Sequence, residues 1–463
     1  MIVFTSINTG YLDKALVLAE SVKRWHPDAS FHIVLADYKE GNQYICELVD
    51  HVEFLEEFEF GLDKAFLFQH NVVELCTLVK PIYAAKLANN HKGRHIVYLD
   101  PDTMLFSPMG IVVEAHSESD VLLTPHLLTP PSSHAHIVES EYSALQHGLY
   151  NLGFFSCVGG DNASLFFNWW GDRLKHICST VKENGLFTDQ KIVDIAPIYF
   201  NFIGILKSKS LNVATWNLFE RPLVCKNSQF FIENQPLVFY HFTGFDSGAG
   251  QRKIDQHHTK NQALEVLWQH YHQQLSKQST KVLGSTQWCF ANFEDGQPIP
   301  NKARQYFRYC VENKHDFPNP FSTQFQTLWA NSIGARLFER SEEQGRKYLK
   351  SISTFSHAHN FDLKGVMQQL QTLEKHHGCA RVFLWGYNEY AQQVESTFYA
   401  QSMQFEHAYV IDKNLPENDR VIDPTSSTFL KSDIIVVCAI SAKNDILSLI
   451  KTQKIPAHVL SIG

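Results

Sequence analysis

In the stretch His95-Ile-Val-Tyr-Leu-Asp100-Pro-Asp102-Thr-Met-Leu-Phe106, two carboxylates one residue apart stand between two apolar runs. The β-branched run before them reads as a strand. Side chains two apart on extended backbone point the same way, and Pro101 biases Asp100 toward extended conformations, so both acids can converge at the strand end. Paired oxygen ligands of this kind suit a hard divalent cation, which can in turn bridge to a diphosphate. The same residues also satisfy the chemistry of a polar β-turn, and the stretch alone leaves both readings open.

The elements that would position these acids alternate. Ile2–Thr5, Phe31–Ala36, Ile96–Leu99, Val121–Thr124 and Gly153–Cys157 read as strands, with helical spacing over Tyr11–Trp25 and Glu74–Ala88. That alternation predicts an α/β fold with a mostly parallel sheet, and ligands in such sheets bind at the carboxyl ends of strands. Asn8, Asp37 and Asp100 all fall at such ends. From about Thr259 to Leu373 the chain reads as mainly helical, broken at Pro298-Ile-Pro300 and Phe317-Pro-Asn-Pro-Phe321. After His376-His377-Gly378 a small β-α-β pattern restarts, with strands at Arg381–Trp385, Tyr409–Asp412 and Asp433–Cys438 and helices from Tyr390 to about Tyr399 and at Lys443–Thr452.

Five segments in order carry a family resemblance: the opening strand with Asn8, the Asp100-x-Asp102 strand end, Tyr150-Asn151-Leu-Gly153-Phe, Thr188-Asp189-Gln190, and His241-Phe-Thr-Gly244. Together they resemble the nucleotide-sugar glycosyltransferases of GT-A fold, especially the retaining type of glycogenin and lipopolysaccharide galactosyltransferases (family 8-like). The resemblance covers about residues 1–250. It implies that Asp100, Asp102 and His241 bind Mn²⁺ or Mg²⁺, and that Asp189 and Gln190 flank the reacting face. It further implies that Thr5, Asn8, Asp37, Lys80, Asp100, Asn151, Gly153 and Gly244 line the donor site. Two departures are visible. Tyr83 stands where the relatives carry an Arg, leaving Lys80, Lys86 or Arg94 as phosphate contacts, and Phe245-Asp246-Ser247 stands where they carry Lys-Pro-Trp.

The organisation expected is a GT-A domain over 1–255, a helical extension over 256–375 and a Rossmann-like accessory domain over 376–463. In the last, Gly386-Tyr-Asn388-Glu-Tyr-Ala391 lacks the second and third glycines of a dinucleotide fingerprint, which favours an accessory or assembly role. Bulk properties narrow the function. A formal net charge of −8 argues against a nucleic-acid interface, and 44% hydrophobic with 19% charged residues fits globular domains. No apolar run reaches membrane-spanning length, and the opening Met1-Ile-Val-Phe-Thr-Ser lacks the basic flank of a signal peptide. The nine cysteines form no Cys-x-x-Cys pair and read as buried thiols of a reducing, cytoplasmic setting.

The function expected is transfer of a hexose from a nucleotide sugar, UDP-linked, to a hydroxyl of a glycan or glycolipid acceptor in surface polysaccharide or lipopolysaccharide synthesis. Retention is favoured, peripheral membrane association is compatible, and the C-terminal domain is the candidate surface for a homo-oligomer. An inverting route would use Asp189 or Glu220 as base. A Mg²⁺-dependent nucleotidyltransferase and a degenerate scaffold subunit are the alternatives. Asp189 could equally cap the helix that follows it, and Asn151 could serve only to satisfy strand-end backbone groups. Trp169-Trp170 is expected in the core. His257-His258 and His376-His377 are expected to be solvated.

Overall fold

The computed structural model describes residues 1–38, 47–57, 62–180, 185–257, 261–279, 287–312, 319–331, 333–341, 346, 363–377, 381–386, 391, 394–395, 407–411, 421–423, 428–438 and 442–461. They divide into two compact units, Met1–Leu62 with His70–Ala291, and Asp63–Gln69 with Asn292–Gly463.

The first unit is built on strands β1 (Ile2–Ile7), β2 (Ser30–Leu35), β3 (His51–Phe54), β4 (His95–Leu99), β5 (Thr103–Leu105), β6 (Val121–Pro125), β7 (Tyr150–Val158) and β8 (Ile203–Ile205). Seven of them form one sheet in the order β3-β2-β1-β4-β7-β6-β8. The pairs β1/β2, β1/β4, β2/β3 and β6/β8 are parallel, as the alternating pattern predicts. Strand β7 runs against both β4 and β6. That reversal decides where the site lies, because it brings the first residues of β7 beside the carboxyl end of β4.

Both faces of the central strands are buried, so β1 and β4 read as continuous apolar runs. On one face Val3, Ile7, Leu16, Val97 and Phe154 share a core. On the other, Phe4 packs edge-on to Tyr98 at 5.0 Å between ring centroids, and Tyr98 stacks on Phe155 at 4.9 Å. The helix Val72–Asn90 opens with a capping box between Asn71 and Glu74 and buries residues on every side. A helix apolar all round must be covered all round, and its Lys80 is carried into the interior with it. Trp170 is fully buried and Trp169 half-buried on the helix Asp161–Ile177.

Beyond the sheet, β9 (Leu223–Lys226), β10 (Gln229–Ile232) and β11 (Gln235–Pro236) form a small antiparallel sheet, and β12 (Phe239–His241) pairs with β5. Cys225 on β9 and Cys289 are exposed, which corrects the expectation that the thiols are buried. Strand β9 presents Val224, Cys225 and Lys226 to solvent. Cys46 and Cys379 lie outside the described residues.

In the second unit, Phe68 of the helix Lys64–Phe68 is buried among Phe293, Phe307 and Phe325. Helices Asn301–Glu312, Thr323–Asn331, Ile333–Arg340 and Leu363–His377 fill the stretch read as helical. Strands β13 (Arg381–Trp385), β14 (His407–Ile411), β15 (Ile434–Val437) and β16 (His458–Ser461) form an all-parallel sheet in the order β14-β13-β15-β16. Gly386 follows β13 with φ +81°. Asn388, Asp412 and His258 lie outside the described residues. No helix among the described residues is long and apolar enough to cross a membrane.

Candidate active site

The ladder of β4 runs one residue past its end, where Asp100 N–H donates to the Gly153 carbonyl at 2.8 Å. The chain then turns. Thr103 returns its N–H (3.1 Å) and Oγ1 (2.7 Å) to the Asp100 carbonyl across Pro101 and Asp102, with Pro at the turn position it favours. Strand β5 leaves this turn and pairs with β12, setting His241 opposite Thr103. Phe242 N–H closes on the Asp102 carbonyl at 2.7 Å. His241 Nε2 thereby lies 3.1 Å from Asp102 Oδ1 and 3.8 Å from Asp100 Oδ2. One ligand atom from each of the three residues lies within 4.8 Å of the others. Turn and ligand readings of the Asp-Pro-Asp stretch are therefore one feature: the turn, rather than strand alternation, makes the acids converge.

Gly153 leaves the space these groups occupy. A Cβ there would meet His241 Cε1 at 2.5 Å, Asn151 Oδ1 at 2.7 Å and Asp100 Oδ2 at 2.9 Å. Two carboxylates and an imidazole around such a cradle give an oxygen- and nitrogen-donor set that Mn²⁺ or Mg²⁺ accepts. The residues fit a divalent ion.

Lys80 lies beneath this group, its Nζ 3.0 Å from Asp100 Oδ1 and 3.4 Å from Asp189 Oδ2. Tyr98 donates its hydroxyl to Asp100 Oδ1 at 2.6 Å. Burial alone would raise the pKa of Asp100, but Lys80 and His241 outweigh it and hold the acid below its ordinary range. Burial would lower Lys80, and Asp100 and Asp189 raise it instead. Asp189 stays raised, because burial and the neighbouring Asp100 exceed what Lys80 offers it. His241 is raised too: burial works against its charge, and Asp102 prevails. Lys80 is thus a charge partner inside the acid cluster.

Asp189 precedes the helix Gln190–Val193, yet its carboxylate makes no cap bond. It faces Lys80 instead. Gln190 Oε1 accepts Leu152 N–H at 3.1 Å, leaving the amide donors for the pocket that Gln190 lines. That pocket, about 310 Å³, is also lined by His126, Asn151, Trp216, Gly244 and Lys253, and among the described residues no acidic one lines it. Gly244 has φ +72°, and a Cβ there would lie 2.8 Å from Gly250 N.

Of the eight expected donor residues, Asn151 and Gly244 line this pocket, while Lys80, Asp100 and Gly153 belong to the acid cluster described above and Thr5, Asn8 and Asp37 to neither. Thr5 is buried within β1 with no partner for Oγ1, and Asn8 is half-buried at the turn after it. Asp37 is buried, and its oxygens accept Thr9 N–H and Cys289 N–H, each at 2.9 Å. Burial raises its pKa. Among the other cations considered, Lys86 pairs with Glu53 and Arg94 is exposed. Tyr83 is buried with its hydroxyl 2.8 Å from His32 Nδ1. Both oxygens of Glu220 accept Leu128 N–H at 3.0 Å, and Oε2 also takes the N–H and hydroxyl of Thr129 at 2.6 and 2.7 Å. With Arg221 paired at 3.2 Å, Glu220 holds a loop.

Four residues here carried no signal in the sequence. Asn212, His126 and Trp216 belong to no recognised spacing, and Lys253 follows the departure at Phe245-Asp246-Ser247. The ring of Trp216 stands edge-on to His241 at 5.3 Å.

No family model matches the chain. It is similar to the uncharacterized protein YfnF of Bacillus subtilis (strain 168), 27% identical over 174 residues, or 37% of this chain and 57% of that protein. Less than two thirds of YfnF is therefore spanned. The uncharacterized protein YfnD of the same organism is 23% identical over 249 residues, 52% of this chain and 76% of that protein. Among solved structures, the galactosyltransferase LgtC with donor and acceptor sugar analogues shares 13% identity at a TM-score of 0.35, over 60% of this chain and 96% of that one. The glycosyltransferase GlyE of Streptococcus pneumoniae TIGR4 shares 14% at 0.35, over 63% and 66%. Mouse xyloside xylosyltransferase 1 shares 11% at 0.32, over 52% and 97%.

Proposed function

We propose that the first unit is a GT-A glycosyltransferase that uses a divalent cation to move a hexose from a nucleotide diphosphate sugar, UDP-linked, to an acceptor hydroxyl. The observation that carries this reading is the convergence of Asp100, Asp102 and His241 in the same unit as the pocket lined by Asn151, Gln190 and Lys253. In the reaction the bond from the anomeric carbon to the diphosphate breaks, the acceptor oxygen bonds to that carbon, and the acceptor proton leaves with the diphosphate. Bound Mn²⁺ or Mg²⁺ supplies Lewis acidity toward the departing phosphate. Lys80 keeps Asp100 ionised as a ligand, and Lys253 adds positive charge on the pocket wall. Gln190 offers amide donors to the sugar, and Asn151 supports the wall beside it. Asp189 acts on the reacting face through the charge it shares with Lys80.

Retention of anomeric configuration is the preferred outcome. A far-side base is needed for inversion, among the described residues no carboxylate lines the pocket, and Glu220 is committed to its loop. The acceptor is read as a glycan or glycolipid of a surface polysaccharide, and the C-terminal parallel sheet as an accessory or assembly domain. UDP release from a panel of UDP-hexoses, with Mn²⁺ and with chelator, tests the reading. Metal-dependent release with one sugar supports it. No release with any sugar or metal, under conditions where the protein is folded, overturns it.

A further inference from the structure

A chain of hydrogen bonds runs from the pocket wall to His241, and one backbone group fixes its direction. Gly153 N–H, which can only donate, lies 3.1 Å from Asn151 Oδ1. That atom must be the carbonyl oxygen, so the other arm of Asn151 is its NH₂, which lies 3.1 Å from His126 Nε2. Asn151 Oδ1 also receives the NH₂ of Asn212 at 3.0 Å. The same NH₂ lies 3.1 Å from Thr124 Oγ1. The arm of Asn212 left over is therefore its carbonyl oxygen, and it faces His241 Nδ1 at 3.4 Å. An acceptor opposite a ring nitrogen favours the protonated form of that nitrogen: Asp102 Oδ1, 3.1 Å from Nε2, does so for Nε2 while no ion is held there, and Asn212 does so for Nδ1.

We propose that Asn212 is a positioning residue: with an ion rather than a proton on Nε2, the nitrogen turned to Asp100 and Asp102, it accepts the one remaining ring proton, on Nδ1, and so orients His241. The purpose of this arrangement rests on the reading of these three residues as metal ligands. A ligating imidazole is oriented by what its other nitrogen donates to, and loss of that partner costs about ten- to a hundredfold in metal affinity. Asn212 is well chosen for its place. Its φ is +50°, a conformation that Asn, Asp and Gly tolerate and most residues do not. It is 1% exposed, and its backbone carbonyl accepts the Asn217 NH₂ at 3.0 Å.

The test uses the full chain and two variants that suit the backbone. Asn212→Gly removes the acceptor, and Asn212→Asp retains one. Mn²⁺ titration calorimetry is expected to show at least tenfold weaker binding for Asn212→Gly. Asn212→Asp is expected to stay within about threefold of the parent, an affinity order that stability alone would not produce. Equal Mn²⁺ affinity in the parent and Asn212→Gly overturns the proposal. A second readout follows the proton itself. The ¹⁵N spectrum of histidine-labelled protein in alkaline buffer with saturating Mg²⁺, with His241 assigned through His241→Asn, is expected to show Nδ1 protonated. A proton on Nε2 under those conditions overturns the proposal. A parent that binds neither Mn²⁺ nor Mg²⁺ overturns the metal reading, and the proposal with it.

Discussion

At the residue scale the site depends on a few atoms within a short reach. Gly153 admits no side chain without displacing His241 or Asp100, so Gly153→Ala is expected to lose Mn²⁺ affinity by at least about tenfold. Overpacking of this kind costs about 1–3 kcal/mol of stability, so the variant stays folded. Calorimetry beside a melting curve separates the two effects. Lys80→Met leaves the buried Asp189 and the half-buried Asp100 without the cation between them and is expected to cost about 3 kcal/mol, read by denaturant unfolding. Adding Asp189→Asn to it removes the repulsion between them and is expected to recover part of the loss, a coupling that independent sites would not show. His32 gives the pH dependence. Burial lowers its pKa to about 4, whereas the unfolded chain titrates near 6.5. Between those values the unfolded state binds more protons, so stability is present above the window and is lost as pH falls through it. His32→Asn is expected to flatten the fall in melting temperature across that window.

At the element scale, the strands and helices of the first unit follow from local pattern, while the directions and turns that make the site do not. The apolar runs of β1 and β4 and the helical spacing of Leu12–Trp25 are legible, because burial on one or both faces writes itself into residue type. The reversed direction of β7 is not legible, since a buried strand reads alike whichever way it runs. That reversal is what places Asn151 and Gly153 beside Asp100. His241 was legible only through its order in the chain, and its partner Asn212 not at all, because a single buried amide has no periodicity. Glu220 shows the opposite error, an acid that sequence offers as a base and the fold spends on the loop Leu128–Thr129. Glu220→Leu is expected to loosen that loop, with faster hydrogen exchange at Leu128 and Thr129 and a loss of about 3–5 kcal/mol from the stranded Arg221.

At the scale of the whole molecule, every residue assigned to metal, pocket or relay belongs to the first unit, while Phe68 of the inserted helix Lys64–Phe68 belongs to the second. A chain ending at Ala291 is therefore expected to keep the metal site but expose Phe68, which is buried in the full chain. Aggregation that Phe68→Ser relieves, measured by light scattering, is the expected outcome. The parallel sheet of the second unit was legible from its alternating apolar runs, and its four-strand order was not, since order depends on contacts between distant segments.

The most direct measurement of the central claim is calorimetric titration of UDP into the full chain, with Mn²⁺ and with chelator, repeated on Asp102→Asn. UDP binding is expected to require Mn²⁺ and to be lost in Asp102→Asn. Binding indifferent to both the metal and the substitution would contradict that claim, leaving Asp100-Pro101-Asp102 as a turn and nothing more.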